Sequence, residues 1–441
     1  MRVLYVVHNH MLYEHSGTPI LAGQYARSVV ATGGESAIVF RKPAGVTPPS
    51  CHDGVTLIPV RSAVRQPWSL AEFSYPLADS RWTKSIKRFR PDLVHIVDWV
   101  GIPSALLAAV RTLDVPVVRH VCNVEDLCAY IEPIRYHEDL ALCRAPLSPS
   151  QCGVCLQRRG DFRYSRLARL RSAVSRPASL LGSFPSANWY SMAVAEKHRA
   201  FKKHVSEIYD ALIFPNQSFM EYYRSMIDLG EMDIAVIEHG VGSRSGANKL
   251  KSLGNIDDPI HFVFLGPCVE RKGWNHIERA FFRLLRDRPG QIRLTAYGAP
   301  LDGGGSPLAG LPGVSMLPRF PHQALDDVLK FCDVGLIPSP FETFGLVCRE
   351  MLTRGIPVIA SDAFGLVDAV RDGENGLIIT RPLSDGLRGA VEKILDNKNL
   401  LARLTKNAQS TSIRTEEDEF SEIQNLYYRL LSVAQKSQGT D

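Results

Sequence analysis

Short apolar runs alternate with helical patterns along almost the whole chain of 441 residues. Strands that alternate with helices are typical of parallel sheets with crossover helices. In the first half we expect strands at 2–7, 36–40, 93–97, 117–121, 211–214 and 235–238. In the second half we expect them at 261–265, 293–297, 334–337, 358–360 and 376–379. The pattern therefore predicts an α/β fold with two successive Rossmann-like domains.

A polar, glycine-containing stretch, GSRSGANKLKSLGNIDDP at 242–259, interrupts this alternation and is typical of a linker. We expect an N-terminal domain at 1–245, with an insertion near 128–155, and a C-terminal domain at 258–415. A last helix and tail at 416–441 would follow. That helix could cross back to the first domain, because one face carries the apolar residues Phe420, Ile423, Leu426, Tyr427, Leu430 and Leu431.

Composition indicates an ordinary folded protein, with 45% hydrophobic and 22% charged residues. The longest apolar stretches are too short to cross a bilayer, and MRVLYVVHNH fits a first strand better than a signal peptide. Nine cysteines, an odd number, favour a reducing compartment over a disulfide framework. We therefore expect a cytoplasmic protein. A net charge of +5 permits an anionic ligand or contact with the inner membrane face, but does not favour nucleic acid.

The segment PSPFETFGLVCREMLTRGIPVIASD, at 338–362, carries the most chemical information. A helix is expected to start near Gly345, and the N–H groups of a helix N-terminus suit an anionic diphosphate. Eight helical steps would place Glu342 and Glu350 about 12 Å apart, too far for a hydrolase pair. That spacing does suit the two ends of a nucleotide-sugar. An isolated pair of this kind would more often be a helix-terminal charge and a solvated helix face.

This segment resembles the E-x7-E signature of the retaining GT-B glycosyltransferases of family 4. FVFLGPCVERKGW and DGENGLII are similar to two other segments of that family, so the resemblance covers the C-terminal domain. It implies two Rossmann-like domains facing across a cleft. It also implies that Lys272 contacts the diphosphate, Glu342 the sugar and Glu350 the ribose. The other donor-binding candidates are Arg271, Thr343, Phe344, Gly345 and Leu346.

The chain departs from the family at several positions. Pro267 stands where the family has an arginine, and Arg271 is a candidate to replace its charge; Asp368 stands where the family has a glutamate. In PVVRHVCNVEDLC the family's reaction-centre histidine aligns with Cys122, while His120 stands two residues earlier. His120 is either a displaced catalytic residue or an ordinary strand histidine. Gly17 either lies against the ligands or serves a tight turn.

Four cysteines lie within 128–155, and a C-x2-C pair with two more thiolates could hold a structural zinc. These are Cys128, Cys143, Cys152 and Cys155. Ordinary thiols are the alternative. Basic residues from Arg158 to Lys203 could contact anionic lipids or a phosphorylated acceptor, although solvated helix faces also explain such clusters.

These patterns together predict an enzyme that moves a sugar, with retention, from a nucleotide-diphosphate sugar to a glycan or lipid-linked acceptor. Synthesis of cell-surface polysaccharide or glycolipid is the expected setting. The chain carries no Asp-x-Asp metal motif at a predicted strand end, so no catalytic cofactor is expected. Two alternatives stay open: a non-catalytic nucleotide-sugar-binding subunit, and another enzyme on this fold such as a nucleotide-sugar epimerase.

Overall fold

The computed structural model describes residues 1–13, 17–42, 45–60, 80–98, 104–124, 127–128, 143, 207–242, 258–299 and 305–438. The chain divides into two compact units. The first comprises Met1–Ile237 and Phe420–Asp441, and the second comprises Glu238–Glu419. The domain limits expected from composition, 1–245, 258–415 and 416–441, stay a prediction, since residues 243–257 lie outside the described part of the chain.

The first unit is built on one sheet that is parallel except for a short antiparallel edge strand. Its strands are β1 (Arg2–Val7), β2 (Glu35–Arg41), β3 (Cys51–His52), β4 (Val55–Val60), β5 (Leu93–Ile96), β6 (Val117–His120), β7 (Ala211–Phe214) and β8 (Asp233–Val236). Among the described residues they lie in the order β3-β4-β2-β1-β5-β6-β7-β8. The strands β1 and β5 are therefore neighbours in the sheet although the chain leaves β1 in the opposite direction, toward β2.

Helices cover this sheet with apolar faces. The helices of the first unit within the described ranges are α1 (Gly17–Ala31), α2 (Ser80–Phe89), α3 (Ser104–Arg111) and α4 (Gln217–Met226). The last helix of the chain, α11 (Glu416–Gln438), joins them. Phe420, Ile423, Leu426 and Tyr427 of α11 are buried in the same core as Val3, Tyr5 and Ile38, which confirms that the final helix returns to the N-terminal domain.

The second unit has a fully parallel sheet. Its strands are β9 (Ile260–Leu265), β10 (Ile292–Tyr297), β11 (Val314–Leu317), β12 (Val334–Ile337), β13 (Val358–Ser361) and β14 (Gly376–Ile379). They lie in the order β11-β10-β9-β12-β13-β14 within the described residues. Its helices are α5 (Trp274–Asp287), α6 (Leu325–Leu329), α7 (Leu346–Leu352), α8 (Phe364–Val367), α9 (Leu383–Asp396) and α10 (Lys398–Gln409).

Two parallel α/β domains confirm the expected fold class, and most predicted strands coincide with observed ones to within a residue. The strand expected at 235–238 lies two residues earlier, and β3, β4 and β11 were not predicted. Within the part of the chain described here, no helix is both long enough and apolar enough to pass through a bilayer.

Candidate functional site

Lys272 lies after β9, at the end of a short 3-10 turn formed by Glu270–Lys272. The next residue, Gly273, has a left-handed backbone with φ of 76° and leads directly into α5. A Cβ at Gly273 would lie 2.0 Å from the carbonyl oxygen of Pro338, just beyond β12, so only glycine fits there. This close approach fixes Lys272 beside the segment that follows β12.

Glu342 lies on that segment and forms an ion pair with Lys272, with 2.7 Å between Oε2 and Nζ. Both side chains are partly exposed, at 31% for the lysine and 18% for the glutamate. The pair joins the carboxyl ends of β9 and β12, which are neighbouring strands from which the chain runs outward in opposite directions. Ligands of open parallel sheets bind at such a switch point, so this is where a site is expected.

The helix predicted near Gly345 is confirmed, since α7 begins at Leu346 with Gly345 at its N-cap in a left-handed conformation, φ 78°. Phe344 and Gly345 are buried, whereas Thr343 and Leu346 are only partly buried. The predicted donor-binding residues on this segment therefore lie together, between the Lys272–Glu342 pair and the first turn of α7.

Arg349 is a buried residue of α7 that was not among the predicted site residues, and only 1% of its side chain is exposed. Its Nη1 donates to the carbonyl oxygens of Phe344 and Gly365, the latter at 2.8 Å, and its Nη2 donates to Glu238 Oε1 at 2.8 Å. The guanidinium also lies 3.7 Å from the centre of the Phe344 ring. Arg349 therefore fixes the backbone that joins Glu342 to α7 from the inside.

Glu350, the second glutamate of the motif, accepts a hydrogen bond at Oε1 from Nε2 of His322, at 2.7 Å. Its side chain is 14% exposed, and that of His322 is 53% exposed. The hydrogen bond to Glu350 raises the pKa of His322 above its ordinary value, although partial burial opposes this. His322 was not predicted, because it lies after β11 in the sequence, in a turn formed by His322–Ala324.

Arg271 lies next to Lys272 in the sequence, and Asp368 lies near Arg349 in space. Arg271 is exposed beside Lys272, so it is accessible to an anionic ligand. Asp368, which stands where the family has a glutamate, lies at the end of α8. Burial raises the pKa of its carboxyl, and the nearby Arg349 charge counteracts part of that rise.

The candidates of the N-terminal unit lie on its own sheet and first helix. Gly17 is the first residue of α1 and is exposed. His120 ends β6 and is fully buried, with its ring stacked on those of His95 and Tyr25 at centroid distances of 5.5 and 5.8 Å. The packing fits an ordinary strand histidine, and the catalytic role of His120 stays a prediction.

Two of the four cysteines considered for a metal lie within the described residues. The Tyr222 hydroxyl donates to the carbonyl oxygen of Cys143 at 2.7 Å. Burial raises the pKa of Tyr222, and the thiols of Cys143 and Cys128 raise it further, which places both cysteines near this tyrosine. Cys152 and Cys155, and the basic residues from Arg158 to Lys203, lie outside the described residues. The zinc hypothesis therefore stays a prediction.

Comparison with known proteins identifies the class. The family "Glycosyl transferase 4-like domain" matches residues 16–237, about half of the chain, and "Glycosyl transferases group 1" matches residues 247–411. The chain therefore belongs to the group 1 glycosyltransferases, enzymes of the GT-B, family 4 type. This confirms the resemblance found in the sequence.

The chain aligns with only part of each of two curated relatives. D-inositol 3-phosphate glycosyltransferase of Stackebrandtia nassauensis is 32% identical over 178 residues, which cover 37% of this chain and 40% of the relative. Glycogen synthase of Mycobacterium tuberculosis is 25% identical over 227 residues, covering 50% of this chain and 54% of the relative. The chain thus spans about half or less of these relatives.

Solved structures share the fold over nearly the full length. Sucrose-phosphate synthase from Thermosynechococcus elongatus has a TM-score of 0.63 at 16% identity, covering 98% of this chain and 99% of that one. HepE of Anabaena, solved in complex with UDP and glucose, has a TM-score of 0.60 at 14% identity, covering 97% of this chain and 100% of that one. At such low identity the likeness shows the fold alone.

Proposed function

We propose that this chain is a retaining glycosyltransferase that moves a sugar from a nucleotide-diphosphate sugar to a glycan or lipid-linked acceptor. The observation that carries the proposal is the Lys272–Glu342 pair, 2.7 Å apart, at the switch point of the second sheet. A cation and a carboxylate side by side match a donor that joins an anionic diphosphate to a hydroxyl-rich sugar. HepE, which shares the fold, was solved with UDP-glucose, in keeping with such a donor.

Each side chain has one role in this proposal. Lys272 binds the diphosphate and stabilises the charge that develops on it as the bond to the sugar breaks. Glu342 accepts hydrogen bonds from the sugar hydroxyls, and Glu350 accepts them from the ribose. Retention of the anomeric configuration follows the family pattern. No catalytic metal or cofactor is part of the proposal.

The setting of the reaction is also part of the proposal. We place the protein in the synthesis of cell-surface polysaccharide or glycolipid, at the inner face of the membrane when its acceptor is lipid-linked. Flotation with vesicles that contain anionic phospholipid tests the membrane contact. Protein that stays with the dense fraction at physiological salt would contradict it.

The proposed donor roles are tested by calorimetry with UDP, ADP and GDP, and by turnover of the corresponding sugar nucleotides with a panel of acceptors. Glu350→Ala should weaken nucleotide binding by roughly 10- to 100-fold, since a hydrogen bond to a charged group contributes about 1.5–3 kcal/mol. Glu342→Gln should abolish transfer and leave nucleoside diphosphate binding intact. Glu374→Ala is the matched control, because its carboxylate is 60% exposed and pairs only with its neighbour Arg371 among the described residues.

The outcomes separate the alternatives. Nucleotide binding without turnover of any sugar nucleotide would favour a non-catalytic binding subunit, a reading motivated by Pro267 and Cys122 at positions that the family uses for chemistry. Conversion of one sugar nucleotide into its epimer would favour an epimerase. Equal loss of nucleotide binding in Glu342→Gln and Glu350→Ala would mean that Glu342 is structural.

A further inference from the structure

Two side-chain contacts join segment 322–329, the His322 turn and α6, to segment 346–354, which is α7 with the residues just after it. His322 Nε2 donates to Glu350 Oε1 at 2.7 Å. Arg354 Nε donates to Asp326 Oδ1 at 2.5 Å. Asp326 follows His322 by four residues, and Arg354 follows Glu350 by four, so each segment contributes side chains one helical turn apart. The two contacts therefore join the same two segments side by side.

The Arg354–Asp326 contact holds the two segments together without His322. Only 12% of the Arg354 side chain and 34% of the Asp326 side chain are exposed, so this ion pair is partly buried. Leu325 of α6 and Met351 of α7 are also buried in one apolar core cluster. We therefore expect α6 and α7 to stay packed when His322 is changed.

The His322–Glu350 contact leaves one carboxylate oxygen available to a ligand. Within the described residues, Glu350 Oε2 has no hydrogen bond or ion pair, and His322 Nδ1 has none either. A glutamate side chain is flexible and loses rotamer freedom when a ligand fixes it. Since His322 already holds Oε1, much of that freedom is lost before any ligand binds. Such a carboxylate is preorganised to accept hydrogen bonds at Oε2.

We propose that His322 is the positioning residue that presents Glu350 to the ribose of the donor. His322 holds Oε1, and Oε2 accepts hydrogen bonds from the 2′- and 3′-hydroxyls. The proposal rests on the ribose contact of Glu350 proposed above. A nucleotide without these hydroxyls gains nothing from an ordered Glu350. The preference for ribonucleotide donors therefore depends on His322, although His322 does not itself contact the ligand.

Calorimetry on the full-length chain compares two ligands, the nucleoside diphosphate that the panel above identifies and its 2′,3′-dideoxy form. His322→Ala should weaken binding of the ribonucleotide by about 2- to 10-fold, the effect of ordering one flexible side chain on binding. Binding of the dideoxy form should not change. In turnover, the donor KM should rise by the same factor while kcat stays the same, because the ribose is bound equally in the ground state and the transition state.

Two further variants separate positioning from support of the fold. His322→Gln keeps an Nε2 donor for Glu350 Oε1, so it should restore most of the ribonucleotide affinity. Asp326→Asn is the matched control, because it weakens the other contact between the same two segments and leaves the His322–Glu350 hydrogen bond in place. It should bind both ligands as the wild type does.

Three results would overturn the proposal. If His322→Ala weakens binding of both ligands by the same factor, His322 contacts another part of the nucleotide or only supports the fold. If His322→Ala binds the ribonucleotide as tightly as the wild type, Glu350 needs no positioning. In both cases the wild type still prefers the ribonucleotide, so the ribose contact of Glu350 stands. Equal affinity of the wild type for the two ligands would instead contradict that contact, and the positioning role of His322 with it.

Discussion

Gly365 offers a sharp test of how closely the Glu342 segment is packed. It lies in the four-residue helix α8, and a Cβ added there would lie 2.1 Å from the Cα of Phe344 and 2.3 and 2.4 Å from two further backbone atoms of that residue. Ordinary carbon contacts are at about 3.5 Å, so Gly365→Ala requires a backbone shift of about 1.4 Å. No rotamer change relieves the clash, because the three nearest atoms all belong to the backbone of Phe344.

The loss of stability in Gly365→Ala has two sources. Overpacking of this kind costs about 1–3 kcal/mol. The shift also strains the hydrogen bond from Gly365 N to Glu342 O, at 3.2 Å, and the one from Arg349 Nη1 to Gly365 O, at 2.8 Å. Losing the hydrogen bond from the charged Arg349 guanidinium adds about 1.5–3 kcal/mol to this loss of stability. We therefore expect Gly365→Ala to lower the free energy of unfolding of the second unit by about 2.5–6 kcal/mol.

Hydrogen exchange of β12 and β13 amides in increasing urea reports on this unit separately from the other. Gly389→Ala is the matched control, because Gly389 lies within α9 and has no atom within 4 Å of an added Cβ. It should stabilise the helix by about 0.5–1 kcal/mol. If Gly365→Ala is as stable as the wild type, the packing of α8 against Phe344 described above is wrong.

Three further predictions concern other parts of the chain. Glu350→Gln should lower the pKa of His322 measured by NMR, because the hydrogen bond to Glu350 raises that pKa. The stabilisation of the fold by this pair is complete below the ordinary histidine pKa. It is lost as the pH rises through the raised pKa of His322. Tyr427→Phe should lower the melting temperature, because the buried hydroxyl of Tyr427 lies 2.5 Å from His95 Nδ1 and this hydrogen bond is lost. Tyr428→Phe is the control and should leave the melting temperature unchanged, because Tyr428 is 54% exposed. If the four cysteines bind zinc, purified protein carries one zinc per chain and loses it in Cys152→Ser; purified protein without zinc ends that prediction.

Much of the fold could be predicted because its central strands are buried on both faces and consist of continuous apolar runs, as in Arg2–Val7 and Val334–Ile337. The unpredicted strands lie toward the edges. Residues alternate between half-buried and exposed along Val314–Leu317, and Val55–Val60 contains Pro59, so neither shows the signal of a central strand.

The candidate site was predicted only as far as its residues are close in sequence. The segment from Glu342 to Glu350 is continuous and carries a family signature. Arg349 has the sequence signal of any helix-surface arginine, and only the fold shows that it is buried. Lys272 and Glu342 are 70 residues apart in the sequence, and His322 and Glu350 are 28 apart. No periodicity joins such positions before the sheet order is known.

The central claim is that the second unit binds the nucleotide-diphosphate sugar through the segments that follow β9 and β12. Hydrogen–deuterium exchange of the full-length protein with and without saturating UDP tests it most directly. We predict slower exchange in peptides covering 266–274 and 339–350, and no such slowing in Lys272→Ala. Slowing confined to the N-terminal unit, or slowing in the second unit that the Lys272 variant retains in full, would contradict the account.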